Sequence, residues 1–331
     1  MVFGASAAGL AVDLGEVGGL SNATVHLAFA GDTGVAMPMA VAIDTALRRL
    51  ATAGRSAHIH LLALGFEAEA EARLRRLVEG HGAGWTAYLI EPDRFDHLAQ
   101  VGHVSRATYL RFLLPELLAD VERVVYLDAD TLVQADLSEL YDYPLDGCCL
   151  AAVPDAASAD EGHFSRLREC LPGEPLALGP RMFNAGVLLI DLSAWRAEAW
   201  GPQMLERLVR WGAGLAYTDQ DALNAFMGSV CRLLPLHYNV MSLWRTHRPR
   251  NSDEADRVAA WMADPEGAEV VWHFAGRTKP WNPQSLRSPF RGLYHRALRD
   301  SGWFQTRAAF ERWRLGWYTR AGRRVFSGGR A

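Results

Sequence analysis

Lysine is almost missing from this chain. Of 34 basic residues in 331, Lys279 is the single lysine and the rest are arginine. A GC-rich genome writes arginine wherever a positive charge serves, so the bias alone excludes little. It does single out Lys279, a compact ammonium where guanidinium is the default. Cysteine is scarce as well: Cys148, Cys149, Cys170 and Cys231 are the only four, and none has CxxC spacing. That excludes the thioredoxin and zinc patterns and a disulfide scaffold, and it suits a reducing compartment. No apolar run reaches about 18 residues, so no membrane-spanning helix is expected. A net charge of −4 argues against a general nucleic-acid binder. With 50% hydrophobic and 22% charged residues, the chain is neither disordered nor a coiled coil.

What is present starts with alternating strand and helix signals. Residues 1–23 are small and glycine-rich, lack the basic stretch of a signal peptide, and read as a flexible tail. Thr24–Ala30 reads as a strand, followed by Gly31-Asp32-Thr33-Gly34 and a helix opening near Pro38. Met39, Ile43, Leu47 and Leu50 form its apolar stripe. His58–Leu64 and Trp85–Ile90 are further strands around a helix over Glu67–Glu79, acidic early and basic late, as the helix dipole favours. A helix over Ala107–Leu118, bent at Pro115, leads to the apolar strand Arg123–Leu127. Later strands are Ala185–Ile190 and Glu269–Phe274, and Ser193 and Thr218 read as helix N-caps. The rhythm predicts an α/β fold, with a Rossmann-like, mixed but mostly parallel central sheet flanked by helices over residues 24–300.

Four polar constellations fall at strand ends or helix starts. Asp128-Ala129-Asp130 follows a buried strand, at the end where open α/β sheets bind ligands. Two carboxylates one residue apart can share a divalent cation that bridges a diphosphate; solvated turn carboxylates are the plainer reading. Phe183-Asn184-Ala185-Gly186 offers small residues and an amide, or is a plain turn. In Thr218-Asp219-Gln220-Asp221 the acids suit a helix start, or hold sugar hydroxyls. His273-x-x-Gly276-x-x-Lys279-Pro280-Trp281 joins a third metal donor to the one lysine, whose ammonium suits phosphate.

The order of these motifs resembles the family 8 glycosyltransferases, which include bacterial lipopolysaccharide galactosyl- and glucosyltransferases and, more distantly, glycogenin. The resemblance rests on Ala28–Asp32, Arg106–Arg111, Tyr126–Asp130, Phe183–Leu189, Asp219–Asp221 and the His273–Trp281 motif. It implies a GT-A fold that binds a UDP-sugar through Mn²⁺ or Mg²⁺. It further implies transfer of galactose or glucose, with retention, to a saccharide or a lipid-linked or envelope glycan. By position, Ala30 and Asp32 contact uracil and ribose; Asp128, Asp130 and His273 ligate the metal; Gly276 and Lys279 hold the diphosphate. Arg111, Ala129, Asn184, Ala185, Asp219 and Gln220 complete the donor site, while His103, Asp155 and Tyr217 line the acceptor pocket. Asp219, Gln220 and Asp155 are the candidates for the chemistry itself. Gly34 and Val35 stand where the family often has Asn-Tyr, which removes a side-chain contact to the nucleotide. The segment Ala156–Leu178 matches nothing in the family and reads as a lid over the acceptor. Asp128-Ala129-Asp130-Thr131 also resembles the DxDxT loop of haloacid-dehalogenase phosphatases, but Leu132 stands where that loop needs threonine. An inert nucleotide-sugar binder is the non-enzymatic alternative.

Residues 301–331 change character. Seven arginines face one acid, Glu311, among Trp303, Phe304, Phe310, Trp313, Trp317, Tyr318 and Phe326. Such a helix suits an anionic lipid surface, or packs on the catalytic domain with its arginines solvated. The expectation is a cytoplasmic enzyme, peripheral at the inner face of a bacterial plasma membrane.

Overall fold

The computed structural model describes residues 24–101, 105–155, 160–242, 269–285 and 288–327. Its central sheet has seven strands: β1 (Val25–Gly31), β2 (Ala57–Leu64), β3 (Gly84–Ile90), β4 (Arg123–Leu127), β6 (Leu150–Pro154), β7 (Phe183–Asp191) and β8 (Cys231–Leu233). Their order is β3-β2-β1-β4-β7-β6-β8. β3, β2, β1 and β4 run parallel, β7 is antiparallel to both β4 and β6, and β8 is parallel to β6. This is the mixed, mostly parallel α/β sheet expected. Every residue of β2 and β4 except Arg123 is buried, as a sheet covered on both faces requires.

A second sheet of three strands, β5 (Thr131–Val133), β10 (Val271–His273) and β9 (Val240–Met241), has β10 at its centre. The chain leaves β4 at Leu127 and enters β5 at Thr131, so Asp128-Ala129-Asp130 is the corner between the two sheets. β10 pairs antiparallel with β5 and sets His273 opposite Thr131.

Helix α1 (Ala36–Thr52) is wedged beside both sheets, and its stripe of Met39, Ile43, Leu47 and Leu50 is buried. Helix α2 (Ala68–Gly80) buries Ala70, Leu74 and Val78 and leaves its charged face outward. Three expectations need correction. Arg106–Leu113 is a 3-10 helix, with only Leu114–Leu117 (α3) in α form, because Pro115 and the tight packing of Tyr109 and Phe112 shape the turn. Ser193 is not the cap of its helix. Strand β7 runs one residue further than expected, and the Asp191 carboxylate takes the Ala194 N–H at 2.8 Å. Thr218 lies inside the helix Thr218–Met227 rather than capping it.

The last helix, Arg307–Ser327, buries Phe310 against the second sheet's core and Trp317 edge-on to the His295 ring. The Trp317 indole donates to the Trp281 carbonyl at 2.8 Å, while Leu315 and Tyr318 stay exposed. Among the described residues, no helix is long and apolar enough to cross a membrane.

Candidate active site

The site grows from the corner after β4. Side chains alternate along a strand, so Tyr126 and Asp128 point the same way. The Tyr126 hydroxyl donates to Asp128 Oδ1 at 3.0 Å. Arg111, buried beneath them, donates to the same oxygen at 3.0 Å and to the Ala185 carbonyl at 2.7 Å, and it pairs with Asp219 at 3.1 Å. One guanidinium therefore joins the β4 corner, β7 and the helix Thr218–Met227. It is fully paired, which a buried cation requires. Burial raises the pKa of Asp219 above the usual carboxylate value; Arg111 counters this and nearby Asp128 reinforces it.

Asp128, Asp130 and His273 converge, each with a ligand atom within 4.8 Å of the others. His273 Nε2 lies 3.2 Å from Asp130 Oδ1 and 3.8 Å from Asp128 Oδ2. The ring packs close against β7 because position 186 is glycine: a Cβ there would sit 2.2 Å from His273 Cε1. The small residue at this position thus admits the histidine. Burial works against charge on Asp130, but Lys279 and His273 outweigh it and hold its carboxyl well below the usual range. Two hard carboxylates and one imidazole suit a divalent cation such as Mn²⁺.

Gly276 has φ +85°, a left-handed turn open to glycine, and it carries the chain back from β10. Lys279 then contacts Asp130 and donates to the Phe274 carbonyl at 2.8 Å. On the other flank, Gln220 donates to Asp155 at 3.2 Å and accepts from the Asn184 amide and the Ala185 N–H, both at 3.1 Å. Thr218 is buried with φ +31°, a strained state costing on the order of 1–3 kcal/mol. Its turn is held by Asp221, which accepts from the Ala216 and Tyr217 N–H groups at 2.9 and 3.0 Å, and from His163 and Arg166.

Those last two residues stand on the helix Asp160–Cys170, inside the segment read as a lid. Tyr217, an exposed ring, stacks on His163 with centroids 5.8 Å apart.

Ala30 lies near the end of β1 and Asp32 just beyond it; Asp32 accepts from Gly34 N–H at 2.9 Å and from the Ser105 hydroxyl at 2.6 Å. A Cβ at Gly34 would stand 3.0 Å from Asp32 Oδ1, so the departure from Asn-Tyr leaves that carboxylate bound by backbone instead. Ala129 is nearly buried within the corner. His103 lies outside the described residues. Thus one network gathers Arg111, Asp128, Asp130, Asn184, Ala185, Asp219, Gln220, His273, Lys279 and Asp155. Asp32 stands apart from it just beyond β1. Sequence reasoning missed Tyr126, which the alternation of β4 would have revealed. It also missed Asn239, a buried residue that no motif marks.

The two-sheet α/β fold thus carries an Asp-Asp-His cluster at its strand ends. Residues 26–285 match the family described as Glycosyl transferase family 8, and the chain belongs to it. It is 29% identical over 232 residues to the lipopolysaccharide 1,2-glucosyltransferase of Escherichia coli, covering 70% of this chain and 65% of that protein. It is 28% identical over 258 residues to the lipopolysaccharide 1,3-galactosyltransferase of Salmonella typhimurium, covering 77% and 72%. The solved galactosyltransferase LgtC, in complex with donor and acceptor sugar analogs, aligns with a TM-score of 0.70 at 25% identity, covering 83% of this chain and 96% of that one. The fold is accordingly GT-A. Leu132, where a phosphatase loop would need threonine, is buried in β5.

Proposed function

We propose that this glycosyltransferase moves galactose or glucose from a UDP-sugar to a saccharide or lipid-linked envelope glycan, with retention of configuration. The observation that carries the reading is the convergence of Asp128, Asp130 and His273 beside the Gln220–Asp155 pair. Its relatives' names, a glucosyltransferase and a galactosyltransferase of lipopolysaccharide, point to the same sugars and acceptor class.

Asp128, Asp130 and His273 would hold Mn²⁺ or Mg²⁺, which when bound neutralises charge developing on the diphosphate. Lys279 adds a positive charge on the same side, and with Gly276 would hold the diphosphate. Ala30 and Asp32 receive the nucleoside, while Arg111, Ala129, Asn184 and Ala185 shape the sugar subsite. His103, Asp155 and Tyr217 serve the acceptor.

A double displacement needs a free carboxylate beneath the anomeric carbon. Asp219 is ion-paired to Arg111 and buried, and Gln220 is an amide, a poor nucleophile. Front-face attack follows: the acceptor hydroxyl replaces UDP on the same side, and its proton passes to the departing phosphate oxygen. Asp219 then binds donor hydroxyls, and the Gln220 amide faces the electron-poor carbon.

The test is a screen of UDP-sugars by UDP release, with Mn²⁺, Mg²⁺ or a chelator. Release from UDP-galactose or UDP-glucose that a chelator abolishes, and that Asp128→Ala lowers at least about 100-fold, is expected. Full activity of Asp128→Ala would sink the metal assignment, and no release from any donor would favour an inert binder. The same mixtures spun down with anionic vesicles test the terminal helix, whose exposed Leu315 and Tyr318 sit among arginines. Equal pelleting of the chain and of a form ending at residue 306 removes membrane attachment through that helix.

A further inference from the structure

A chain of side-chain hydrogen bonds runs from the candidate metal site to the acceptor side. His273 Nδ1 lies 3.0 Å from Asn239 Oδ1. Asn239 Nδ2 donates to Asn184 Oδ1 at 2.9 Å, Asn184 Nδ2 to Gln220 Oε1 at 3.1 Å, and Gln220 Nε2 to Asp155 Oδ2 at 3.2 Å. Amide ends can be exchanged on paper, so the direction of such a chain needs an anchor. Two backbone N–H groups supply it. Gly186 N–H donates to Asn184 Oδ1 at 2.9 Å, and Ala185 N–H donates to Gln220 Oε1 at 3.1 Å.

A backbone N–H is only a donor, so the atoms it meets must be oxygens. Asn184 then presents oxygen to Asn239, which must answer with its NH₂. The other end of Asn239, its oxygen, faces His273, and an oxygen there requires a proton on Nδ1. The lone pair of a neutral ring is left on Nε2, the nitrogen that faces Asp128 and Asp130. Asn239 is fully buried, so no water competes for these positions.

We propose that Asn239 is a positioning residue that sets His273 with Nδ1 protonated and Nε2 free for a cation. Through Asn184 it also ties the metal site to Gln220 and Asp155. The inference rests on the metal reading above but adds a residue and a direction to it. Partners of this kind on a ligating histidine are worth about 10- to 100-fold in metal affinity.

Two measurements test it without relying on turnover. In the first, the full chain carries ¹⁵N-labelled imidazoles with Mg²⁺ at pH 8, and the His273 signal is identified by its loss in His273→Gln. A proton on Nδ1 is expected; a proton on Nε2 overturns the proposal, and this arm needs no variant at Asn239. In the second, Mn²⁺ affinity is read from the electron paramagnetic resonance of free ion. Asn239→Leu should weaken it about 10-fold or more. Gln220→Leu, which contacts none of Asp128, Asp130 and His273, should weaken it by about threefold, a smaller share of the same effect. If the unaltered chain binds Mn²⁺ and Asn239→Leu binds it equally well, the positioning role fails while the metal site stands. If the unaltered chain binds none, the metal reading itself fails. Unchanged affinity in Gln220→Leu removes the tie to Asp155.

Discussion

Buried histidines lie in both sheets, His273 at the carboxyl end of β10 and His58 and His60 near the amino end of β2, and the two places differ in what surrounds the ring. At the carboxyl end, His273 packs against Asp128 and Asp130 and is steered by Asn239. At the amino ends of β1 and β2, His26, His58 and His60 stack on one another, with His58 and His60 centroids 4.5 Å apart. Their polar contacts are each other and Thr86, and the Nδ1 atoms of His58 and His60 are buried without a hydrogen bond among the described residues. The first place gathers opposite charges that a cation and a diphosphate can exploit. The second gathers only groups that would repel one another if charged, and so stays neutral. A histidine's meaning is thus decided by the charges it meets rather than by its burial.

The largest effect is expected where the charged end is broken at its centre. Arg111→Met would leave Asp219 and Asp128 without their cation, and removing one partner of a buried pair costs about 3–5 kcal/mol. Urea unfolding should show that loss, and sugar transfer should fall at least about 100-fold. Adding Asp219→Asn to Arg111→Met should return part of the stability, because an amide needs no counter-charge. If the single variant is as stable as the parent, Arg111 is not the keystone of this network.

The neutral end should announce itself through pH. Burial lowers the pKa of His26 to about 4, with repulsion from His58 adding to it, and burial lowers His58 and His60 as well. In the unfolded chain these rings titrate near about 6.5. Between 6.5 and about 4 the unfolded chain therefore binds protons that the folded chain refuses. Their contribution to stability is full above pH 6.5 and is lost as pH falls through this window, at up to about 1.4 kcal/mol per unit for each ring. The slope of urea midpoints between pH 7.5 and 5 should be shallower in His60→Gln. Equal slopes in the two proteins would mean that the trio does not govern acid stability.

Much of the charged end was legible in the sequence, for a physical reason. A buried parallel strand must be continuously apolar, so Arg123–Leu127 stood out, and the acids after it fell at the strand's carboxyl end by construction. Asn239 was not legible. It acquires its role only because β9 lies beside β10, a pairing that spans more than thirty residues and leaves no local mark. Thr218 misled in the opposite way. Its residue type and the acids after it read as a cap, but Asp221 is pulled toward His163 and Arg166, and the turn is forced into positive φ. His58 and His60, two positions apart, looked like ordinary members of an apolar strand. Only the register of β1 on β2, which sets His26 opposite His58, turns them into a cluster.

The smallest effect concerns the single lysine, and it tests whether the charged end needs ammonium or only positive charge. Lys279 contacts Asp130 and the Phe274 carbonyl together, from a loop bent by the left-handed Gly276. An ammonium can serve both acceptors from one point, whereas a planar guanidinium spreads its donors and needs more room. Lys279→Arg keeps the charge, so stability should hardly move. The arginine would push the Asp130 carboxylate away from its place beside His273, and kcat/KM for the donor should fall about 10-fold, or roughly 1.4 kcal/mol. Because Asp130 is a proposed metal ligand, much of that loss should return when Mn²⁺ is raised well above the level that saturates the parent. Full activity of Lys279→Arg at limiting Mn²⁺ would show that any cation serves at this position, and that the lone lysine is an accident of codon usage.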